Sequence, residues 1–272
     1  MKKGIRFHDI REERIEEKAK WCKRNGFDYV QLVLEKAESN YALPPFTTEN
    51  ALEIKNRLNG VDIAVLGSYI NPSASDDTLL RAGVEKFCEK IRFASVLKPI
   101  VVGTETGFYG DAPSCLDDTP VAYRRLLQTM ELLATKAEEY GVCIGVEGVH
   151  CFVINTPKKM KRLIDDLASK FVKVIFDPVN YLTEKNYLAQ GEMIKEAFEL
   201  FSDKIAVLHA KDFALENGVM KRLRIGEGLL NYPLIFDYMQ KNKVSAPIIV
   251  EEYTEDEAQN GAKYLEKLFV TE

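Results

Sequence analysis

Short apolar runs rich in β-branched residues recur along this chain, with helical patterns of polar and apolar positions between them. Gly4–His8 is the first such run. A charged helical segment follows from Arg11 to Asn25, and Gly26 stops it as a glycine just past a helix end does. Tyr29–Leu34 reads as the second strand, and Thr48-Glu49-Asn50 opens a helix that ends near Asn59-Gly60. Asp62–Gly67 is the third strand, with Asp76 or Asp77 capping the next helix. Pro99–Gly103 is the fourth. Thr119-Pro120 then supplies a cap and a proline at the first helical position of a segment reaching Tyr140-Gly141. Val142–Glu147 is the fifth strand, and Thr156-Pro157 repeats that signature before a helix ending near Ser169. Val172–Asp177 is the sixth, followed by a helix over Glu192–Phe201. Lys204–Ala210 is the seventh, and Asn231-Tyr232-Pro233 opens a helix to Lys241. Pro247–Glu251 is the eighth strand, and Glu255–Phe269 forms the closing helix.

Eight strand-then-helix units with continuous apolar strands predict parallel strands covered by helices. The 272 residues suit a closed barrel, which typically uses about 250. The expectation is an α/β fold, a single-domain (β/α)8 TIM barrel over residues 1–272; an open doubly wound sheet is the alternative. No glycine-rich linker or composition shift marks a second domain.

Composition narrows the function classes. The net charge of −5 opposes a nucleic-acid partner, because phosphate binding needs a basic surface. Cys22, Cys88, Cys115, Cys143 and Cys151 are odd in number and form no CxxC pair, so they are expected to be reduced thiols in a cytoplasmic protein. The start, Met1-Lys2-Lys3-Gly4-Ile5-Arg6, has no long apolar region after its basic residues, and so does not read as a secretory signal. No run approaches the roughly 20 apolar residues of a membrane helix. No Walker, dinucleotide or G-x-S-x-G motif occurs.

In a barrel, chemistry sits where strands finish. The first four runs end in Phe7-His8-Asp9, Leu34-Glu35-Lys36, Gly67-Ser68-Tyr69 and Gly103-Thr104-Glu105. The last four end in Val146-Glu147, Phe176-Asp177, Leu208-His209 and Val250-Glu251-Glu252, spaced by 30, 32 and 42 residues from Glu147 to Glu251. Four successive strands thus each deliver a Glu, Asp, His or Glu to one rim. Three carboxylates repel one another unless a cation sits among them. Three oxygen donors and an imidazole suit Mn²⁺, Mg²⁺ or Co²⁺, with Zn²⁺ also compatible.

At these residues the chain resembles the xylose isomerase-like barrel superfamily, and more narrowly its sugar (phosphate) isomerase/epimerase branch. The segments that carry the resemblance are Gly145-Val146-Glu147, Phe176-Asp177-Pro178-Val179-Asn180, His209-Ala210-Lys211-Asp212, Ile248-Ile249-Val250-Glu251 and the turn Gly226-Glu227-Gly228. The resemblance implies one divalent ion held by Glu147, Asp177, His209 and Glu251. Glu252 is the alternative to Glu251; successive strand residues face opposite ways, so one of the two points at the axis. It also implies that Glu147 and Glu251 move protons, one removing a C–H proton beside a carbonyl and the other returning it through an enediolate. The substrate class is then a small ketose, sugar acid or sugar phosphate, and barrels of this kind often form homo-oligomers.

The chain departs from some 3-epimerases at two places. His150-Cys151-Phe152-Val153 carries no second glutamate, and Asn180 stands where some place a histidine. His150 and Asn180 are therefore candidates for holding substrate or orienting a metal ligand. Glu105, Tyr69, His8 and Lys211 lie on the same predicted rim. Arg222 and Arg224 sit in the long Phe213–Leu230 connection, which reads as a lid, and are candidates for binding a sugar phosphate. Three other classes stay open: an inosose-type dehydratase on the same residues, a non-catalytic ligand-binding barrel, and an endonuclease-IV-like nuclease. The nuclease uses a histidine-rich three-zinc cluster, whereas this chain has only His8, His150 and His209.

Overall fold

Eight parallel strands close on themselves in the order β1-β10-β7-β6-β5-β4-β3-β2, and β2 pairs back to β1. They are β1 (Lys3–Arg6), β2 (Tyr29–Leu32), β3 (Asp62–Gly67), β4 (Val101–Glu105), β5 (Ile144–Glu147), β6 (Val172–Phe176), β7 (Ile205–Ala210) and β10 (Ile248–Val250). The structure, a computed structural model, describes residues 2–37, 46–113, 119–253 and 257–270; Cys115 and the expected helix start at Glu255 lie outside them. The fold is the expected (β/α)8 barrel in a single domain.

The helices that cover the barrel are α1 (Ile15–Arg24), α2 (Leu34–Ala37), α3 (Thr48–Leu58), α4 (Asp77–Leu97), α5 (Pro120–Tyr140), α6 (Pro157–Leu167), α7 (Gln190–Phe201), α8 (Tyr232–Lys241) and α9 (Ala258–Val270). Their starts follow local chemistry. Thr47, Thr119, Thr156 and Asn231 each accept a hydrogen bond from the backbone N–H three residues on, and Asp76 accepts two from Thr78 and Leu79. Each bond satisfies a donor that the first helical turn leaves orphaned.

Strand alternation divides the core in two. Phe176 points outward into Phe198 and Phe201 of α7, at ring separations of 5.8 and 6.0 Å. Its neighbour Ile175 packs with Val65, Val101, Val207 and Ile249 in a small buried cluster that plugs the barrel. Inward positions two residues further along each strand lie above this plug, at the C-terminal mouth. Gly145 and Ile175 precede Glu147 and Asp177 in this way, and Val207 and Ile249 precede His209 and Glu251.

The plug is tight. A Cβ on Gly145 would stand 2.6 Å from Val101 Cγ2, and one on Gly103 would stand 2.5 Å from Val65 Cγ1. Gly145→Val is therefore expected to cost about 1–3 kcal/mol through overpacking. Urea denaturation checks this, and unchanged stability would show that the interior has room to spare.

Two strands end earlier than their apolar runs suggest. After β1 the chain turns into a 3₁₀ turn at Phe7–Asp9, whose carbonyl at Phe7, with that of Ile10, accepts from the buried Lys18 ammonium. After β2 it enters α2, where Glu35 pairs with the fully buried Lys90. The expected loop over Phe213–Leu230 instead begins with an antiparallel hairpin of β8 (Asp212–Glu216) and β9 (Val219–Leu223). Its turn is Asn217-Gly218, both with positive φ, the combination that a two-residue hairpin turn requires.

Candidate metal centre and active site

Glu147 ends β5, Asp177 follows β6, His209 lies in β7 and Glu251 follows β10, so all four reach the mouth from adjacent staves of the barrel. All four are buried, at 3%, 0%, 2% and 5% exposure. Glu147, Asp177 and His209 each offer a donor atom within 4.8 Å of the others. Glu251 joins through the imidazole: His209 Nδ1 lies 3.3 Å from Glu147 Oε1 and 3.3 Å from Glu251 Oε1. Glu252 has a left-handed backbone and lies 3.6 Å from Arg6, whereas Glu251 lines the cavity at the mouth.

Lys211, two residues beyond His209 and on its face, is buried between two of these acids. Its ammonium stands 2.6 Å from Asp177 Oδ2 and 3.0 Å from Glu251 Oε2. Burial would raise the Glu251 carboxyl pKa, but Lys211, His209 and Arg6 outweigh it and hold the group down at about 2. Burial raises the Asp177 pKa, and Lys211 only partly offsets this. For His209, burial alone would lower the ring pKa, and Glu147 with Glu251 overcome it to hold the ring up at about 9.

Asn180 donates from Nδ2 to Glu147 Oε1 at 2.8 Å, and its backbone N–H donates to Asp177 Oδ1 at 3.2 Å. One residue in a 3₁₀ turn thus fixes two of the acids. His150 is turned aside: its backbone N–H donates to the Asn180 carbonyl, and its ring Nδ1 lies 3.3 Å from the same oxygen.

This donor set fits a divalent ion. Ligands about 2.1 Å from an ion at octahedral or tetrahedral angles stand about 3.0–3.4 Å from one another. The two 3.3 Å separations at His209 Nδ1 match that spacing and are long for a hydrogen bond to a carboxylate. His209 Nε2 is buried without a hydrogen-bond partner among the described residues. An ion at Nδ1 must displace the ring proton, so affinity depends on pH. Because the ring is held protonated up to about pH 9, Mn²⁺ affinity should fall about tenfold for each unit of pH below that. Calorimetry between about pH 8 and pH 6 would read it, and a flat profile would remove His209 from the ligand set.

The cavity above these residues is about 240 Å³. Glu147 and Glu251 line one side of it, together with Asn180 and Lys211. His8, Gln31, Tyr69 and Glu105 line the rest, with Arg6, Lys36 and Arg222 adding positive charge; Val33 is the one aliphatic group among the described lining residues. Glu105 is opposite Glu147 in the β4–β5 register, and burial, then the charge of Glu147, raises its pKa to about 7. Burial and the cations Arg6 and Lys36 lower the His8 pKa to about 4.

Of the two arginines in the long connection, the hairpin carries Arg222 into the cavity lining, while Arg224 turns away to Glu257 and to Glu227. Asp212 anchors the segment: its carboxylate accepts from the backbone N–H groups of Phe213, Gly226 and Leu230. Arg6 and Gln31 are lining residues that strand-end reading passed over, and Lys36, which ends the second run, also lines the cavity. The signal for Arg6 and Gln31 is the polar residue at an inward position, two beyond Gly4 and Tyr29, which are themselves paired across β1 and β2.

Residues 19–268 match the family described as xylose isomerase-like TIM barrel. The L-ribulose-5-phosphate 3-epimerase UlaE of Salmonella paratyphi A is 22% identical over 259 residues, which cover 92% of this chain and 86% of that protein. A D-tagatose 3-epimerase-like protein has a crystal structure that superposes with a TM-score of 0.78 at 21% identity, covering 99% of this chain and 97% of that one. The IOLI protein with a bound zinc atom gives a TM-score of 0.76 at 17% identity, with the same coverage of 99% and 97%. With its fold, its strand-end acids and this match over nearly its whole length, the chain belongs to the xylose isomerase-like TIM barrel family.

Proposed function

We propose that the protein is a divalent-metal-dependent isomerase or epimerase of a small ketose, sugar acid or sugar phosphate. The observation that carries this reading is the pair of buried glutamates flanking one imidazole nitrogen at the mouth of a small polar cavity. Glu147, Asp177, His209 and Glu251 would hold the ion, with Mn²⁺, Mg²⁺ or Co²⁺ favoured by the oxygen-rich set. When bound, such an ion supplies Lewis acidity that acidifies the C–H beside a carbonyl.

The chain's own groups then move the proton. One of the two glutamates removes it, and the other returns it to the enediolate. Return to the opposite face inverts the centre; return to the neighbouring carbon moves the carbonyl. Lys211 keeps Glu251 ionised and so ready to accept. Asn180 restrains Glu147 through Oε1 and leaves Oε2 clear of that bond.

Size and charge support the substrate class. Pockets for drug-sized ligands run to about 300–1,000 Å³, so a cavity of about 240 Å³ suits a single sugar rather than an oligosaccharide. Arg222 in its lining gives a phosphate a counter-charge, and the relatives named above include a sugar-phosphate epimerase. Among the described residues, Glu147, Asp177 and His209 form the one cluster arranged to hold an ion, which does not support a three-zinc nuclease.

The test is exchange of substrate C–H into D₂O, followed by proton NMR, across a panel of ketoses and ketose phosphates with Mn²⁺ supplied. Exchange with at least one member is expected. No exchange with any, at one ion bound per chain, would overturn the reading. Loss of water from the substrate would reassign the same residues to a dehydratase.

A further inference from the structure

The wall of the cavity facing the metal centre holds an unmet hydrogen-bonding demand. Gln31 sits at the inward position near the end of β2 and is only 3% exposed. Its Nε2 donates to the Tyr69 hydroxyl oxygen at 2.6 Å, and its Oε1 is buried with no partner among the described residues. His8 Nδ1, on the same wall, is likewise buried and unpartnered. A buried amide oxygen left unpaired is costly, so it points to a ligand that supplies a donor.

The barrel's geometry places this pair across from the ion. In the ring of strands, β2 and β6 are four steps apart in either direction, so Gln31 lies opposite Asp177. The β2–β3 register slips between Val30 and Gln31, so that Gln31 pairs with Val65 rather than Ala64. Such irregularities re-aim a side chain where a regular strand would not. A sugar reaching from the metal centre across this small cavity therefore meets Gln31 and Tyr69 with its far end.

The chemistry of the pair selects the group it takes. With Nε2 on Tyr69, Gln31 presents an acceptor and Tyr69 keeps its O–H as a donor. If the amide were turned over, the roles would swap, and one donor and one acceptor would still face the cavity. A hydroxyl donates and accepts at once. A phosphate or carboxylate only accepts and would set its charge against the amide oxygen. An ammonium only donates, and Arg6, Lys36 and Arg222 line the same cavity. We propose that Gln31 and Tyr69 form a specificity subsite that reads a hydroxyl at the end of the substrate remote from its reacting carbonyl. This rests on the sugar isomerase or epimerase reading above.

The test compares the ketose that exchanges fastest in the D₂O panel with its terminal-deoxy analogue. The wild-type protein should prefer the hydroxylated sugar in kcat/KM by about 10–100-fold, the worth of a buried hydrogen bond left unmade. In Gln31→Met, which keeps length and volume, that ratio should collapse toward one at equal Mn²⁺ content. Tyr69→Phe, the second variant, should also shrink it. A role confined to packing would slow both sugars alike and leave the ratio intact. An unchanged ratio in both variants would therefore overturn the subsite while leaving the epimerase reading standing. Absence of exchange with every ketose would remove both.

Discussion

Glu147→Gln is expected to slow conversion of substrate to the epimerised or isomerised product by about 10²–10⁴-fold at saturating Mn²⁺, the range in which positioned acids and bases contribute. Gln keeps the shape of Glu and its contact with Asn180, so the fold should be unaffected. Glu251→Gln should give a comparable loss, because the reaction needs both a remover and a returner of the proton. The double variant should be little slower than either single one, since groups that act as a unit are not additive. Product formation within a few-fold of wild type in either single variant would show that this glutamate moves no proton.

The second large effect concerns Lys211. Its ammonium lies between Asp177 and Glu251 and compensates both. Removing one partner from a buried ion cluster typically costs about 3–5 kcal/mol. Lys211→Met should therefore lose stability of that order after chelation, as read by urea denaturation. Added Mn²⁺ should restore much of it, because a divalent ion at the acids supplies the missing positive charge and binding to the native state stabilises it. The variant should thus depend on the ion for stability far more than wild type does. Equal losses with and without Mn²⁺ would contradict this and assign Lys211 a role in packing alone.

The architecture was legible because most strand positions are apolar on both faces, and five helices begin with a side-chain cap that a sequence displays. Thr119-Pro120 and Thr156-Pro157 mark helix starts that the structure reproduces to the residue. The four side chains gathered at the mouth were legible for a related reason: in β5, β6, β7 and β10 the apolar run stops at or next to the residue that reaches it. In β1 and β2 it does not. Phe7 and Leu34 are fully buried outside the strands, in the 3₁₀ turn and in α2, so burial rather than pairing keeps the pattern apolar. The strand ends therefore read about two residues late, and Arg6 and Gln31 went unnoticed behind His8 and Lys36. The hairpin at Asp212–Leu223 was missed because its strands are only five residues long and mix Asp, Glu, Lys and Arg with their apolar residues, although Asn217-Gly218 carries the turn signal. The ion pairs of Lys211 belong to tertiary geometry: a lysine two residues beyond a histidine shares its face, but its partners come from other strands.

Crystals grown with Mn²⁺ and measured for anomalous scattering would test the shared cation most directly. One peak per chain is expected, bounded by His209 Nδ1 and carboxylate oxygens of Glu147, Asp177 and Glu251. A map with no peak among those four side chains, or with the ion seated elsewhere, would contradict the metal centre and the chemistry built on it.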